Sequence, residues 1–472
     1  MGWVVFAPEI YTFCAGAVFF LLSLLAQPES RRYHLVALSM AALGVVVSFA
    51  SVTSEGTLCA GAYRADLYSQ VFKALLSMGL FFVVCLCSEL KGIEKGRHAE
   101  FYLLLMVCTL GTMMLVSSVE LVTLYVALEL TSYSLYILVA LRANYELSAE
   151  TGIKYFLIGA VTSAVMLFGM ALLVGATGTT TMADIRLAFL SGSGAAMASI
   201  GLLLSLSGFF FKLALFPFHI WAPTVYQGAT NQVTAYIATV TKVAAIALMI
   251  RIIALSAGAP FPLARILVTL AIASMTLGNL VAIVQKDIKR LLAYSAIAHA
   301  GYVLVGILSM SENGYAGAVF YALAYLVMSF TCFLVIVKVA QDGNNLEISQ
   351  LAGLHRRCPL LAAALMLGVF SLGGIPPTIG FTGKFFVFTA AVESGYFYLV
   401  IISMINVVIS LYYYALIVKA AYVLKPEGEL PPIKLSMGAR LLTLGMVSLM
   451  IAGGIFPGQL YDLAKAAARA LV

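Results

Sequence analysis

The stretch Phe211-Lys212-Leu213-Ala214-Leu215-Phe216-Pro217-Phe218-His219 sets a lysine and a proline inside an apolar run, and Gly373-Gly374-Ile375-Pro376-Pro377-Thr378-Ile379-Gly380 interrupts another run further along. Proline removes a backbone donor and clashes with the preceding turn, so each stretch predicts a helix broken partway along. In hydrocarbon such a break is tolerated only where it is buried in protein or lines a watery cavity. A packing kink accounts for either break taken singly, because Pro and Gly are common in membrane helices. Two breaks five helices apart point instead to two related units with a pathway between them.

Outward from these stretches the chain is apolar almost throughout: 62% hydrophobic, 10% charged, with a mean hydropathy of +1.04. A soluble domain has about 45–50% apolar and about 25% charged residues. The 472 residues therefore read as an all-α polytopic membrane protein, with about 14 runs each long enough to cross about 30 Å of hydrocarbon. Among them are helix five (Leu121 to Leu141), helix seven (Ser199 to Trp221), helix eight (Asn231 to Leu255), helix ten (Ile288 to Met310) and helix twelve (Pro359 to Ala390). The division expected is 1–98 for three N-terminal helices, 99–257 for a first five-helix unit (helices 4–8), 258–424 for an inverted second unit (helices 9–13), and 425–472 for helix 14 and a short tail. An odd number of crossings per unit forces the inversion.

The +7 net charge comes from loops. Arg31, Arg32, Lys91, Lys95, Arg97, Arg142, Lys286, Lys289, Arg290, Lys338, Arg356, Arg357, Lys419, Lys425 and Lys434 follow odd-numbered helices, while the even loops offer chiefly Arg64 and Arg186. The positive-inside rule then places both termini on the outer side. Glu9 and the lack of Lys or Arg before it give no signal-peptide n-region, so the first run is expected to stay as a span. No loop is long enough to fold a soluble domain. There is no basic nucleic-acid domain, no nucleotide-binding glycine motif, and no CxxC or His/Cys spacing among the seven cysteines. A nucleotide, redox or metal site in this chain is not expected.

The few charges at depth carry the chemistry, because each costs from about 2.5 to above 10 kcal/mol mid-membrane and so needs a partner, water or a task. Glu129 lies near the middle of helix five, too deep to reach water; a buried packing salt bridge is the alternative reading. Lys212 precedes the first break, Lys242 is central in helix eight, and Lys384 follows the second break at roughly the place that Lys212 holds at the first. His299, on helix ten, is the repeat counterpart of the Glu129 region, although a lone buried His is usually structural. Lys154 and Lys73 lie nearer span ends and read more readily as anchors, Lys154 being the more plausible exception. If Glu129 stands near Lys212, moving that carboxylate changes how tightly the lysine holds its proton. That pairing makes a switchable proton carrier.

Four stretches carry a family resemblance. They are Leu128-Glu129-Leu130 with Ser132-Tyr133; Phe211 through Tyr226; Asp287-Ile288-Lys289-Arg290-Leu291-Leu292-Ala293-Tyr294-Ser295 with His299 and Gly301-Tyr302; and Gly373-Gly374-Ile375-Pro376-Pro377 through Gly383-Lys384-Phe385. With these the whole chain resembles the antiporter-like subunits of proton-pumping NADH:quinone oxidoreductase (respiratory complex I), and most closely the subunit N family. The absence of a long amphipathic C-terminal extension and the presence of lysine at 384 favour that branch. The resemblance implies a subunit of a translocase in the bacterial inner membrane. Glu129 and Lys212 would be the charge pair of a first half-channel, Lys242 the central proton carrier, Lys384 the exit site, and Lys154 and His299 connecting or gating groups. NADH, FMN, iron–sulfur clusters and quinone would be bound by other subunits, and the partners would be neighbouring membrane subunits, lipid and protons. A subunit of a multisubunit sodium/proton antiporter is the alternative, since that family shares the same broken helices.

Overall fold

The computed structural model describes the chain except residues 1, 25–29, 144–147, 192–194, 256–262, 341, 427, 429 and 472. The expected boundary at 257/258 lies outside the described residues. The spans follow the hydropathy closely: α1 (Ala7–Leu24), α2 (Ser30–Ala50), α3 (Leu67–Leu86), α4 (His98–Ser117), α5 (Leu121–Ala140) and α6 (Ser148–Thr177). A short α7 (Met182–Ser191) precedes the seventh crossing, which is built from α8 (Ala195–Ser205), α9 (Ser207–Leu213) and, past the first break, α10 (Trp221–Gly228). Then come α11 (Asn231–Leu255), α12 (Leu263–Ala282), α13 (Ile288–Leu308), α14 (Glu312–Val339) and a turn of helix, α15 (Leu354–Arg357). The twelfth crossing is α16 (Pro359–Gly373) plus α17 (Ile379–Glu393), followed by α18 (Phe397–Tyr422), α19 (Met437–Ile455) and α20 (Gly458–Arg469).

Among the described residues thirteen helices are long and apolar enough to cross a membrane, and the broken pair α16/α17 supplies a fourteenth crossing. An even number returns both ends of the chain to one face, called here the terminal face. That face also holds a small antiparallel hairpin, β1 (Gly56–Leu58) and β2 (Tyr63–Ala65), and the amphipathic α20, whose Lys465 and Arg469 pair with Glu312 at the start of α14. Neither element announces itself by hydropathy.

Helix ends are closed by side chains where they leave the apolar layer. Asp66 and Ser69 form a capping box on α3, and Glu120, Asp287 and Ser311 accept from the first-turn amides of α5, α13 and α14. These caps satisfy donors that hydrocarbon would leave orphaned. At the opposite face Arg142 donates to the carbonyls of Gln227, Gly228 and Ala229 and to Asn345, while the buried Lys289 also donates to the Ala229 carbonyl. Two cations thus close the C-terminal end of α10 and tie the halves of the chain together.

The core lies around α11, α13 and α14, which are buried along nearly their whole length, whereas α2, α6 and α19 turn most of their surface outward. The paired α12 and α13 approach closely because glycines face the neighbouring backbone: a Cβ on Gly278 would sit 2.7 Å from the Tyr294 carbonyl, and one on Gly301 2.8 Å from that of Ala271. Lys242, His299 and both breaks are held against this rigid centre.

Candidate functional site

The two breaks share one local geometry. Helix α9 ends at Ala214 in the left-handed conformation (φ 57°), with the Ala214 and Leu215 amides turned back to the carbonyls of Phe211 and Phe210. Helix α16 ends at Gly374 (φ 81°), with the Gly374 and Ile375 amides turned back to Ser371 and Phe370. Both are Schellman-type ends, and they superpose Phe210 on Phe370 and Pro217 on Pro377. The exposed residues of the irregular segments include Pro217, Pro376 and Pro377, which have no N–H to leave unpaired, and the Phe216 amide is taken by Ser274 of α12.

A Schellman end satisfies some of the last carbonyls and leaves others open. At the first break the open ones are those of Lys212 and Leu213, and both accept from Lys242 Nζ, at 3.3 and 2.7 Å. At the second break they are those of Leu372 and Gly373, and both accept from Lys384 Nζ, at 2.8 and 3.0 Å. Each ammonium also stands over an aromatic ring, Lys242 over Trp221 at 5.4 Å and Lys384 over Tyr302 at 4.9 Å. Trp221 is itself fixed by donating Nε1–H to the Phe211 carbonyl. The counterpart of Lys384 is therefore Lys242 and not Lys212, which corrects the expectation drawn from its nearness to the prolines. The register places Leu372 opposite Lys212, and Lys384 docks from beyond the break.

Lys212 is buried on α9, and its Nζ has no hydrogen-bond partner among the described residues. Glu129 is half-buried on α5 and accepts a hydrogen bond from Ser163 of α6. The two make no direct ion pair, although the carboxylate is within coulombic reach of the lysine. On the other side of Lys242, a cavity of about 10 Å³ is lined by Lys242, Leu213, Tyr325 and His299, which is about the room one water needs. His299 is buried, with Nδ1 2.6 Å from the Tyr321 hydroxyl and Nε2 3.2 Å from that of Tyr414, which also meets Ser295. The Tyr302 ring lies against His299 (centroids 5.6 Å apart) and under Lys384. The structure thus sets Lys212, Lys242, His299 and Lys384 in one buried row.

Lys154 does not join that row: it is exposed on α6 and pairs with Glu150 one turn earlier. Lys73, expected to be an anchor, is fully buried and ion-paired to Glu9 at 2.6 Å. A lysine near a helix end snorkels only if that face of the helix is open, and α3 is enclosed by α2, α4 and α11. The hydroxyl partners of His299 and the ring of Trp221 carried no separate signal in the sequence.

The family model for the transmembrane region of NADH:quinone oxidoreductase and Mrp antiporter subunits matches residues 118–410. NADH-quinone oxidoreductase subunit N 2 of Syntrophobacter fumaroxidans is 55% identical over 100% of both chains, and the protein of the same name from Opitutus terrae is 39% identical over 98% of this chain and 97% of its own. Among solved structures, a chain of respiratory complex I from Thermus thermophilus superposes with a TM-score of 0.84 at 32% identity, covering 97% of this chain and 99% of that one. A chain of the Mrp complex from Dietzia sp. gives 0.89 at 19% identity, covering 100% and 98%, a likeness of fold alone. With the antiporter-like architecture and its two lysine-capped breaks in place, full-length identity of this order assigns the chain to the NADH-quinone oxidoreductase subunit N family.

Proposed function

We propose that this chain moves protons across the membrane through the buried row Lys212, Lys242, His299 and Lys384, as a subunit of an NADH:quinone oxidoreductase. The observation that carries the reading is the docking of an ammonium, at each of two equivalent breaks, on the open carbonyls of a helix ended inside the membrane. Intramembrane ionisable groups mark ion pathways by default. Lysine is also the cation that can give up its charge.

Glu129, held by Ser163, sits at one end of the row and biases Lys212 through space; Lys242 is the central station and Lys384 the far one. His299 bridges the lysines through the small cavity and the Tyr302 ring. Lys154 with Glu150 lies outside the row and acts from the surface toward a neighbouring subunit. The matched breaks support two related units, 99–257 and 258–424, the second inverted. The bias of Lys and Arg to the loops after odd-numbered spans puts the terminal face on the outer side of a bacterial inner membrane. Electron transfer from NADH to quinone, with FMN and iron–sulfur clusters, belongs to other subunits. The sodium/proton antiporter reading rests on shared fold and is weaker than full-length identity to subunit N relatives.

The test replaces Lys212 or Lys242 with Ala in the assembled complex and measures NADH oxidation and proton pumping together. Impaired coupled pumping in both variants is expected. Normal coupling in assembled complexes of both removes the proton path.

A further inference from the structure

Beyond the row described above, the N-terminal helices bury a second set of ionisable groups, and two ion pairs on α3 show how differently such groups can be held. In the first pair both carboxylate oxygens are partnered, although Arg251 Nε is buried with no hydrogen-bond partner among the described residues. Asp66 accepts from Arg251 at 2.8 and 3.0 Å through both oxygens and from the Ser69 amide at 2.8 Å, and the guanidinium lies 5.0 Å from the Tyr68 ring. Every oxygen has a partner, as in a structural brace between α3 and α11.

The second pair is half-complete. Lys73 Nζ lies 2.6 Å from Glu9 Oε1, and the Tyr63 hydroxyl donates to the same oxygen, also at 2.6 Å. Glu9 Oε2 is buried with no partner among the described residues. Two rings stand near the ammonium, Phe6 at 6.0 Å and Tyr63 at 5.6 Å to the ring centroids, and the charges of Asp66 and Arg251 lie within coulombic reach. Lys73 lies six residues into α3, about 9 Å from its capped end. A packing salt bridge in a low-dielectric site pairs its remaining lone pairs, because each one left open costs free energy. An open carboxylate oxygen is where another proton can bind.

We propose that Glu9, Lys73 and Tyr63 form a proton-holding site in the N-terminal helices, separate from the lysine row and served by a nearby cavity at the terminal face. That cavity, about 190 Å³, is lined by Arg64, Asp66, Arg251, Val119, Met182 and Leu471; Arg64 and Asp66 follow Tyr63 in the chain, and Glu9, Tyr63 and Lys73 stand behind its wall and do not line it. In the resting state Glu9 carboxylate and Lys73 ammonium sum to zero charge. A proton arriving at Oε2 makes the carboxylic acid and leaves the site at +1 on Lys73; its departure to the cavity restores the pair. This inference rests on the proton-translocation reading but uses none of its residues.

The test is redox-triggered infrared difference spectroscopy on the whole complex, with NADH-driven pumping measured on the same preparations. A protonated-carboxyl band that is lost in Glu9→Gln and shifted in Tyr63→Phe is expected. A difference spectrum unchanged in Tyr63→Phe, or in Glu9→Gln where that variant assembles, overturns the site. Lys212→Ala and Lys242→Ala separate the two ideas: if the Glu9 band persists while both variants pump normally, the site stands and the lysine row falls.

Discussion

The sharpest consequence of the paired breaks concerns Gly374. Its left-handed backbone has a counterpart at the first break in Ala214, so a Cβ is compatible with that turn. What forbids it at the second break is Lys384: a Cβ on Gly374 would fall 2.9 Å from Cδ and 3.3 Å from Nζ of that side chain. In Gly374→Ala the flexible lysine has to give way, and its ammonium leaves at least one of the carbonyls of Leu372 and Gly373. The backbone term is about 1–2 kcal/mol for alanine in a left-handed turn, small beside the ~5–15 kcal/mol that hold a typical domain together. Loss of one hydrogen bond to a charged group is about 1.5–3 kcal/mol. At 1.36 kcal/mol per tenfold that shifts the equilibrium between docked and displaced ammonium by about 10- to 100-fold.

The assay is NADH-driven acidification of vesicles carrying the assembled complex, normalised to NADH oxidation with and without an uncoupler. Gly374→Ala is expected to assemble and to lose coupled pumping by about tenfold or more, in line with that shift. Ala214→Gly, which removes a Cβ at the matching position and leaves the contacts of Lys242 alone, is expected to pump normally. Native coupled pumping by Gly374→Ala would refute the claim that docking of Lys384 on the helix end is part of proton transfer.

Three further outcomes follow from the same geometry. Ser163→Ala strips Glu129 of its donor, a loss of about 1.5–3 kcal/mol of charge-assisted hydrogen bonding, and is expected to slow coupled turnover in the same assay; a double variant with Glu129→Gln should be no slower than Glu129→Gln alone. Arg251→Met removes the buried guanidinium from Asp66 and leaves it only the Ser69 amide and the exposed Arg64 at 3.5 Å, at a cost of up to about 3–5 kcal/mol, and should lower the thermal unfolding midpoint of the solubilised complex, with Asp66→Asn added to it recovering part of the loss. Lys242→Arg keeps a cation on the carbonyls of Lys212 and Leu213 but is expected to abolish coupled pumping, read from vesicle acidification.

Hydropathy made the spans legible because each crossing must satisfy its own backbone and face lipid or other apolar helices. The prolines made the breaks legible because they remove donors wherever they stand. What hydropathy and spacing could not supply is which side chain crosses to an open helix end. Lys212 and Lys384 both lie near a proline, yet the turn register puts Leu372 opposite Lys212 and brings Lys384 in from the far side of its break. Lys73 shows the same limit: its distance from the helix end read as anchoring, but whether a lysine can reach water depends on the neighbours that enclose it. Helix α20 escaped notice because its lysine, arginine and alanines give it amphipathic rather than apolar character. Its buried face is supplied by α14 and α3, which lie far away in the chain.

The choice of lysine at the two breaks follows from counting hydrogen bonds in both of its charge states. A helix ended inside hydrocarbon leaves carbonyls that cost free energy if nothing donates to them, and the partial negative charge at that end favours a cation. An ammonium has three N–H groups and a neutral amine has two, so two open carbonyls can remain satisfied whether or not the proton is present. Arginine would fill the same carbonyls but cannot be deprotonated in a protein, so it would fix the charge in place. A neutral glutamine could donate but would carry nothing. The broken helix and the lysine therefore solve one problem together: the break supplies the negative end that holds a charged carrier in the membrane, and the carrier keeps the break paired after its proton has gone.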